Sequence, residues 1–266
     1  MAVKKTVDST QLDSDLTTVA NAIRTKSGGS SQLAFPSGFV SEIGNIPSGG
    51  EDTLEKSILG QLTDYTNENI TTLPQYAFYY NSTAPTNLRL PNCTSVGLSA
   101  FRYCVVLESF FAPLAGVGSG AFYGCRNLPI CVISGTTVNP ATNGDVFMKY
   151  GSDMAIHTID FSLKKNGFCK RMFYQCVNLK TLILREAAIF PVGDINAFYQ
   201  TPFDSGGSGG TIYIPKALYD HLGDGTANDY KAATNWSTID GYGTITWAKI
   251  EGSIYENAYA DGTPIT

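Results

Sequence analysis

The residues of this 266-residue chain best suited to nucleophilic or metal chemistry are six cysteines and two histidines. The closest cysteine pairs, Cys125/Cys131 and Cys169/Cys176, are six and seven positions apart, and no C-x-x-C is present. A zinc site needs four Cys or His ligands at short spacings, and only His157 and His221 exist to complete one. Cys104, Cys125 and Cys176 instead each follow a phenylalanine by three residues. That recurrence suits buried thiols packing as small apolar groups. Adjacent copies would bring Cys104 and Cys125 towards bridging distance, but Met1–Asp8 has no apolar stretch behind its lysines, so no secretory leader and reduced thiols are expected. The two histidines form no triad pattern with a Ser or Cys. Asp13 and Asp15 suit a helix N-terminus, and Asp220 and Asp224 suit turns. Ser205–Gly210 is rich in glycine but lacks the lysine of a phosphate loop. The expectation is a protein without catalytic residues, metal or cofactor.

The tyrosines are the remaining candidates. Tyr79, Tyr123, Tyr174 and Tyr199 each directly follow a phenylalanine of one recurring string, and Tyr80 and Tyr103 follow one place later. If the phenylalanine points inward, its neighbour points outward, and stacked copies build a tyrosine ladder along one edge. Tyr79, Tyr103, Tyr123, Tyr174 and Tyr199 are therefore the candidate ligand or partner surface, since exposed rings with neutral hydrogen-bonding neighbours suit sugars and proteins. The competing reading makes the same tyrosines packing residues of the repeat.

The elements that must position them repeat along the chain. Phe78, Phe101, Phe122, Phe147, Phe173 and Phe198 are separated by 23, 21, 25, 26 and 25 residues. The best copies are Ala100-Phe101-Arg102-Tyr103-Cys104, Ala121-Phe122-Tyr123-Gly124-Cys125 and Met172-Phe173-Tyr174-Gln175-Cys176; Val146-Phe147-Met148-Lys149 is the most degenerate. Short apolar runs follow the first five: Leu88–Leu90, Leu107–Phe111, Leu128–Ile133, Ile156–Phe161 and Leu179–Leu184. A period of 20–50 residues signals a solenoid, in which equivalent strands pair in parallel and no copy buries its own face. The ends then need caps. A helix at 52–63, with Leu54, Ile58 and Leu62 on one face, suits the first. For the second, Ile212-Tyr213-Ile214 reads as a last strand and Asp229–Trp236 as a short helix.

Composition agrees. Only 15% of residues are charged, against about 25% in ordinary domains, and Arg126 is the one charge in 109–144. A net charge of -5 excludes a nucleic-acid binder working through a basic field. No uncharged stretch reaches the roughly 20 apolar residues of a membrane span.

The pattern Ala-Phe-x-x-Cys-x-x-Leu over residues 65–200 resembles the BspA-type leucine-rich repeat family. Tyr230-Lys231-Ala232-Ala233-Thr234-Asn235-Trp236-Ser237 is similar to the segment that closes many members. The resemblance implies an α+β repeat fold: a right-handed solenoid with short parallel strands. Ahead of it, Leu12, Leu16, Val19 and Ile23 share one helical face, and Phe39 opens the apolar side of a second short helix. Leu16–Lys26 and Phe35-Pro36-Ser37-Gly38-Phe39 resemble a short module of tail-associated structural proteins of phages and prophages of Gram-positive gut bacteria. The expected organisation is a helical docking module at 1–48, a helical N-cap at 51–64, repeats at 65–210, and a β-containing C-terminal cap and tail at 211–266. The expected function is a non-enzymatic virion component, made in the host cytoplasm. It docks on other virion proteins through 1–48, with copies assembling in the particle, and shows its repeats to a host-surface glycan or protein. The alternative is a bacterial cell-surface adhesin or protein-binding module.

Overall fold

The computed structural model describes residues 64–265, apart from 84, 140, 143, 149–153 and 164–165. All of these lie in one unit, Leu54–Thr266. The expectations placed on Leu12, Leu16, Val19, Ile23, Phe39 and the helix at 52–63 fall outside the described residues; Asp64, the last residue of the expected N-cap at 51–64, opens a strand.

Among the described residues ten strands make one sheet: β1 (Asp64–Thr66), β2 (Thr72–Leu73), β3 (Asn87–Arg89), β4 (Ser95–Val96), β5 (Ser109–Val117), β6 (Ile130–Thr136), β7 (Thr158–Phe161), β8 (Thr181–Leu184), β9 (Gly210–Ile214) and β10 (Ile245–Lys249). Their order is β1-β3-β5-β6-β7-β8-β9-β10, with β2 and β4 branching onto the far end of β5, and every strand pair is parallel. Parallel neighbours one repeat apart require the chain to travel round a full coil between them. This is a repeat protein whose parallel sheet and few helices fit a leucine-rich-repeat solenoid.

Register turns sequence periodicity into a core. Leu88, Phe110, Cys131, Ile159, Leu182 and Ile212 are aligned across successive strands, and all six are buried. The expected strands are present, although most begin one or two residues later than the apolar runs, because the leading leucines (Leu107, Leu128, Leu179) turn into the core before the ladder starts.

The phenylalanines form the second column. Phe78, Phe101, Phe122, Phe147, Phe173 and Phe198 are 0–1% exposed. Successive ring centroids are 4.9, 5.2, 5.3, 6.0 and 5.1 Å apart, and the first four pairs are stacked. A backbone ladder runs beside the rings: Phe78, Phe101, Phe122, Phe147 and Phe173 each donate their amide to a carbonyl one repeat on. The degenerate fourth copy keeps its ring in line, so the column survives loss of Ala and Cys there. Asn127 and Asn178 add side-chain rungs to the carbonyls of Val105 and Met154.

The C-terminal cap departs from expectation. Helix α1 (Lys216–Tyr219) follows β9, residues 229–235 are turns, and helix α2 spans Trp236–Asp240, so Trp236 begins the helix instead of ending it. The cause is Asn235, whose φ of 63° interrupts any helix running up to it. Nor is β9 the last strand, since β10 adds to its edge. The cap continues the ring column: Trp236 lies 5.7 Å from Phe198, and its indole donates to the Phe190 carbonyl at 2.6 Å. Trp247 of β10 packs 5.7 Å from Trp236.

Candidate functional site

Phe78, Phe101, Phe122 and Phe173 each sit between two residues in left-handed backbone conformation, two before and two after the ring; Phe147 has such a residue before it and Phe198 one after it. Tyr76, Ser99, Gly120, Asp145 and Arg171 take the first position; Tyr80, Tyr103, Gly124, Gln175 and Gln200 take the second. These tight bends bury the ring and throw the flanking side chains to the edge of the coil. Only two of the ten are glycine.

The tyrosines are displayed unequally. Tyr76, Tyr79 and Tyr80 are 49%, 44% and 60% exposed. Tyr103 is half-buried against them, its ring 4.6 Å from Tyr80. Tyr79 stands edge-on to both Tyr76 and Tyr80, at 5.5 and 4.7 Å. Tyr123 departs from expectation: it is only 6% exposed, roofed by the Arg102 guanidinium 4.0 Å above its ring and flanked by Tyr103 at 5.3 Å. It packs and does not present a face.

The ladder is also interrupted. In the fourth copy Met148 holds the tyrosine position, and its sulfur accepts from Arg171, which pairs with Asp145 at 3.0 Å. Burial raises the Asp145 carboxyl above its usual value, with Arg171 and Arg102 pulling the other way. Beyond this charged stretch, half-buried Tyr174 stacks at 4.8 Å on exposed Tyr199. The structure therefore brings together Tyr79, Tyr80 and Tyr103 in one cluster and Tyr174 with Tyr199 in another, and Tyr76, two residues ahead of Phe78, joins the first. The first cluster offers three exposed rings beside Asn81 and Thr83, a surface able to stack on a sugar or an apolar side chain while polar groups bond its rim.

All six cysteines are buried and free. Burial pushes the Cys104 thiol up to about 11 and Cys169 to about 12, and holds those of Cys125 and Cys131 well above the usual value. His157 contacts Thr158 at 2.9 Å and His221 contacts Asp224 at 2.7 Å, and among the described residues no group of three or more His, Cys, Asp or Glu is placed to hold a metal ion. Asp220 caps α1 and Asp224 lies in a turn.

A second surface was not foreseen. Arg89, Phe111, Val132, Asp160, Ile183 and Tyr213 share the face of the sheet opposite the core column, by register. Phe111, Val132, Asp160 and Ile183 are nevertheless 0–4% exposed, because the chain after β10 folds back across this face. A buried Arg185–Asp160 pair, bonded twice at 2.7 Å, holds it there. The signal was in the sequence: Phe110-Phe111-Ala112, Cys131-Val132-Ile133 and Leu182-Ile183-Leu184 are apolar at consecutive positions, and such strands are covered on both sides.

The family model for the BspA type leucine-rich repeat region matches residues 71–204 in six copies. No curated protein and no solved structure matches the chain.

Proposed function

Because the chain belongs to the BspA-type leucine-rich repeat family, a repeat module suited to protein binding or surface interaction, we propose that it is a non-enzymatic display protein of a phage or prophage particle. Residues 1–48 dock it on other virion proteins at the tail, baseplate or fibre, and the repeats meet a glycan or protein of the host envelope. The observation that carries the binding role is the cluster of Tyr76, Tyr79 and Tyr80, three large aromatic faces held open to solvent within one turn of the chain. Large exposed aromatics gathered in one place mark interaction sites more often than scattered ones do. The resemblance of Leu16–Lys26 and Phe35–Phe39 to tail-associated modules supports the particle setting. A mass-spectrometric inventory of particles purified from a culture that makes the chain tests that setting. Peptides of the chain co-purifying with tail proteins are expected; their absence from particles while the chain is abundant in the lysate overturns it.

A further inference from the structure

The chain after β10 builds a small hairpin of its own. Tyr259 donates its amide to the Thr263 carbonyl at 2.8 Å, Ile265 donates to Asn257 at 3.0 Å, and Ala258 bridges Pro264 antiparallel. The hairpin lies on the sheet through a few strong contacts. Arg185 donates to the Tyr255 and Ala258 carbonyls at 2.7 and 2.8 Å, and Asp160 accepts the Ala260 amide at 2.8 Å. Arg89 binds Asp261 and Thr263, both at 2.7 Å. The Tyr259 ring meets Phe111 at 5.3 Å.

Two features make this element separable. No residue of 251–265 is buried, so the hairpin carries no part of the core with it. Its backbone bonds are largely internal, so leaving the sheet exposes few unpaired groups. It hangs from a hinge at Gly252, whose φ is 80° and around which a side chain would meet nothing within 4 Å, and Ile254 beyond it is 81% exposed. The face it covers is the costly partner: lifting the hairpin uncovers Phe111 and strips the buried Asp160–Arg185 pair of three bonds to the tail. A face in that state recaptures a hairpin of the same chemistry from whichever copy supplies it, because an exchanged element makes the same contacts as its own.

The geometry points to residues 255–265 as an exchangeable clasp, by which one copy of this chain binds the sheet face of a second copy. In an isolated molecule the tether keeps the effective concentration of its own clasp high, of order millimolar for a short linker, and the molecule stays closed. Where copies are held side by side, neighbours compete on equal terms. This surface is separate from the tyrosine edge and does not depend on the display reading.

Shortening the hinge tests the clasp. The full chain lacking Gly252 and Ser253 cannot close on itself, and sedimentation should show dimers or longer chains under conditions where the wild type is monomeric. Adding Arg89→Ala should weaken that association by about tenfold or more. A shortened chain that stays monomeric, with hairpin amides exchanging freely with solvent, overturns the proposal. Should the shortened chain fail to fold, a fluorescent peptide of residues 254–265 titrated into the wild-type chain decides. Saturable binding, weakened about tenfold by Arg89→Ala, supports the clasp, and no binding at millimolar peptide overturns it.

Discussion

Phe122→Ala should cost clearly more than Phe78→Ala at the end of the ring column, and the difference follows from ring neighbours. Phe122 is fully buried and touches three rings, Phe101 at 5.2 Å, Phe147 at 5.3 Å and Phe110 at 5.0 Å. Phe78, equally buried, meets one ring among the described residues, Phe101 at 4.9 Å. Truncating a buried phenylalanine costs about 3–5 kcal/mol, and each aromatic pair adds about 1 kcal/mol beyond area burial. Two additional pairs place Phe122→Ala near 5 kcal/mol and Phe78→Ala near 3 kcal/mol, a gap of about 2 kcal/mol. Urea unfolding reads the gap as a midpoint difference of about 1 M for a slope near 2 kcal/mol/M. Phe122→Leu, which keeps most of the volume, should recover more than half of the loss and guards against a variant too unstable to measure. Equal midpoints for Phe122→Ala and Phe78→Ala, or a larger loss at Phe78, would refute the idea that stability is passed from repeat to repeat through the rings.

Three further outcomes are expected. The thiols should resist alkylation at pH 8: with Cys104 raised to about 11, only about one part in a thousand is thiolate, so iodoacetamide should modify none of the six cysteines in the folded chain within an hour and all of them in urea. Gly124→Ala should cost more than Gly206→Ala although both sit at φ +74°, because a Cβ at 124 falls 2.5 Å from the Tyr103 ring whereas at 206 it meets nothing within 4 Å; the left-handed conformation alone costs about 1–2 kcal/mol, and equal losses would show that the Tyr103 ring yields freely. For Asp229, burial acts to raise the carboxyl, but amides of Gly223, Gly225 and Lys231 outweigh it and hold the pKa below the usual value. A depressed folded pKa gives stability that is present above the unfolded value near 3.9 and is lost as pH falls through the folded one. The stability advantage of wild type over Asp229→Asn should therefore be full at pH 6 and close in strong acid, and an advantage independent of pH contradicts the assignment.

The repeat was legible because it is a packing constraint: one ring per coil must fill one slot, so Phe recurs at every copy even where Ala and Cys do not. The strands were legible for the same reason, as apolar runs placed after each ring. The bends were not, since eight of the ten left-handed positions carry side chains such as Tyr76, Ser99 and Arg171, and hydrogen bonds to the next coil impose a conformation their residue types do not announce. The unequal exposure of the tyrosines was hidden too, because it depends on which neighbouring repeat places an arginine overhead, as Arg102 does for Tyr123. Strand β10 escaped notice because Ile245–Lys249 is only half covered and its alternation is weak. The returning hairpin was invisible as a contact, joining Arg89 to Asp261 across 172 positions, although the doubly apolar strands had already required some cover.

The most direct test of the binding role is adsorption of the fluorescent full chain to purified Gram-positive cell walls, comparing wild type with the Tyr79→Ser/Tyr80→Ser double variant. Both side chains are exposed, so the variant should stay folded, losing about 1–2 kcal/mol in urea unfolding for the three ring contacts it gives up. Its adsorption should fall by about tenfold or more. A folded variant that adsorbs as well as wild type would contradict the claim that this tyrosine cluster is the working surface.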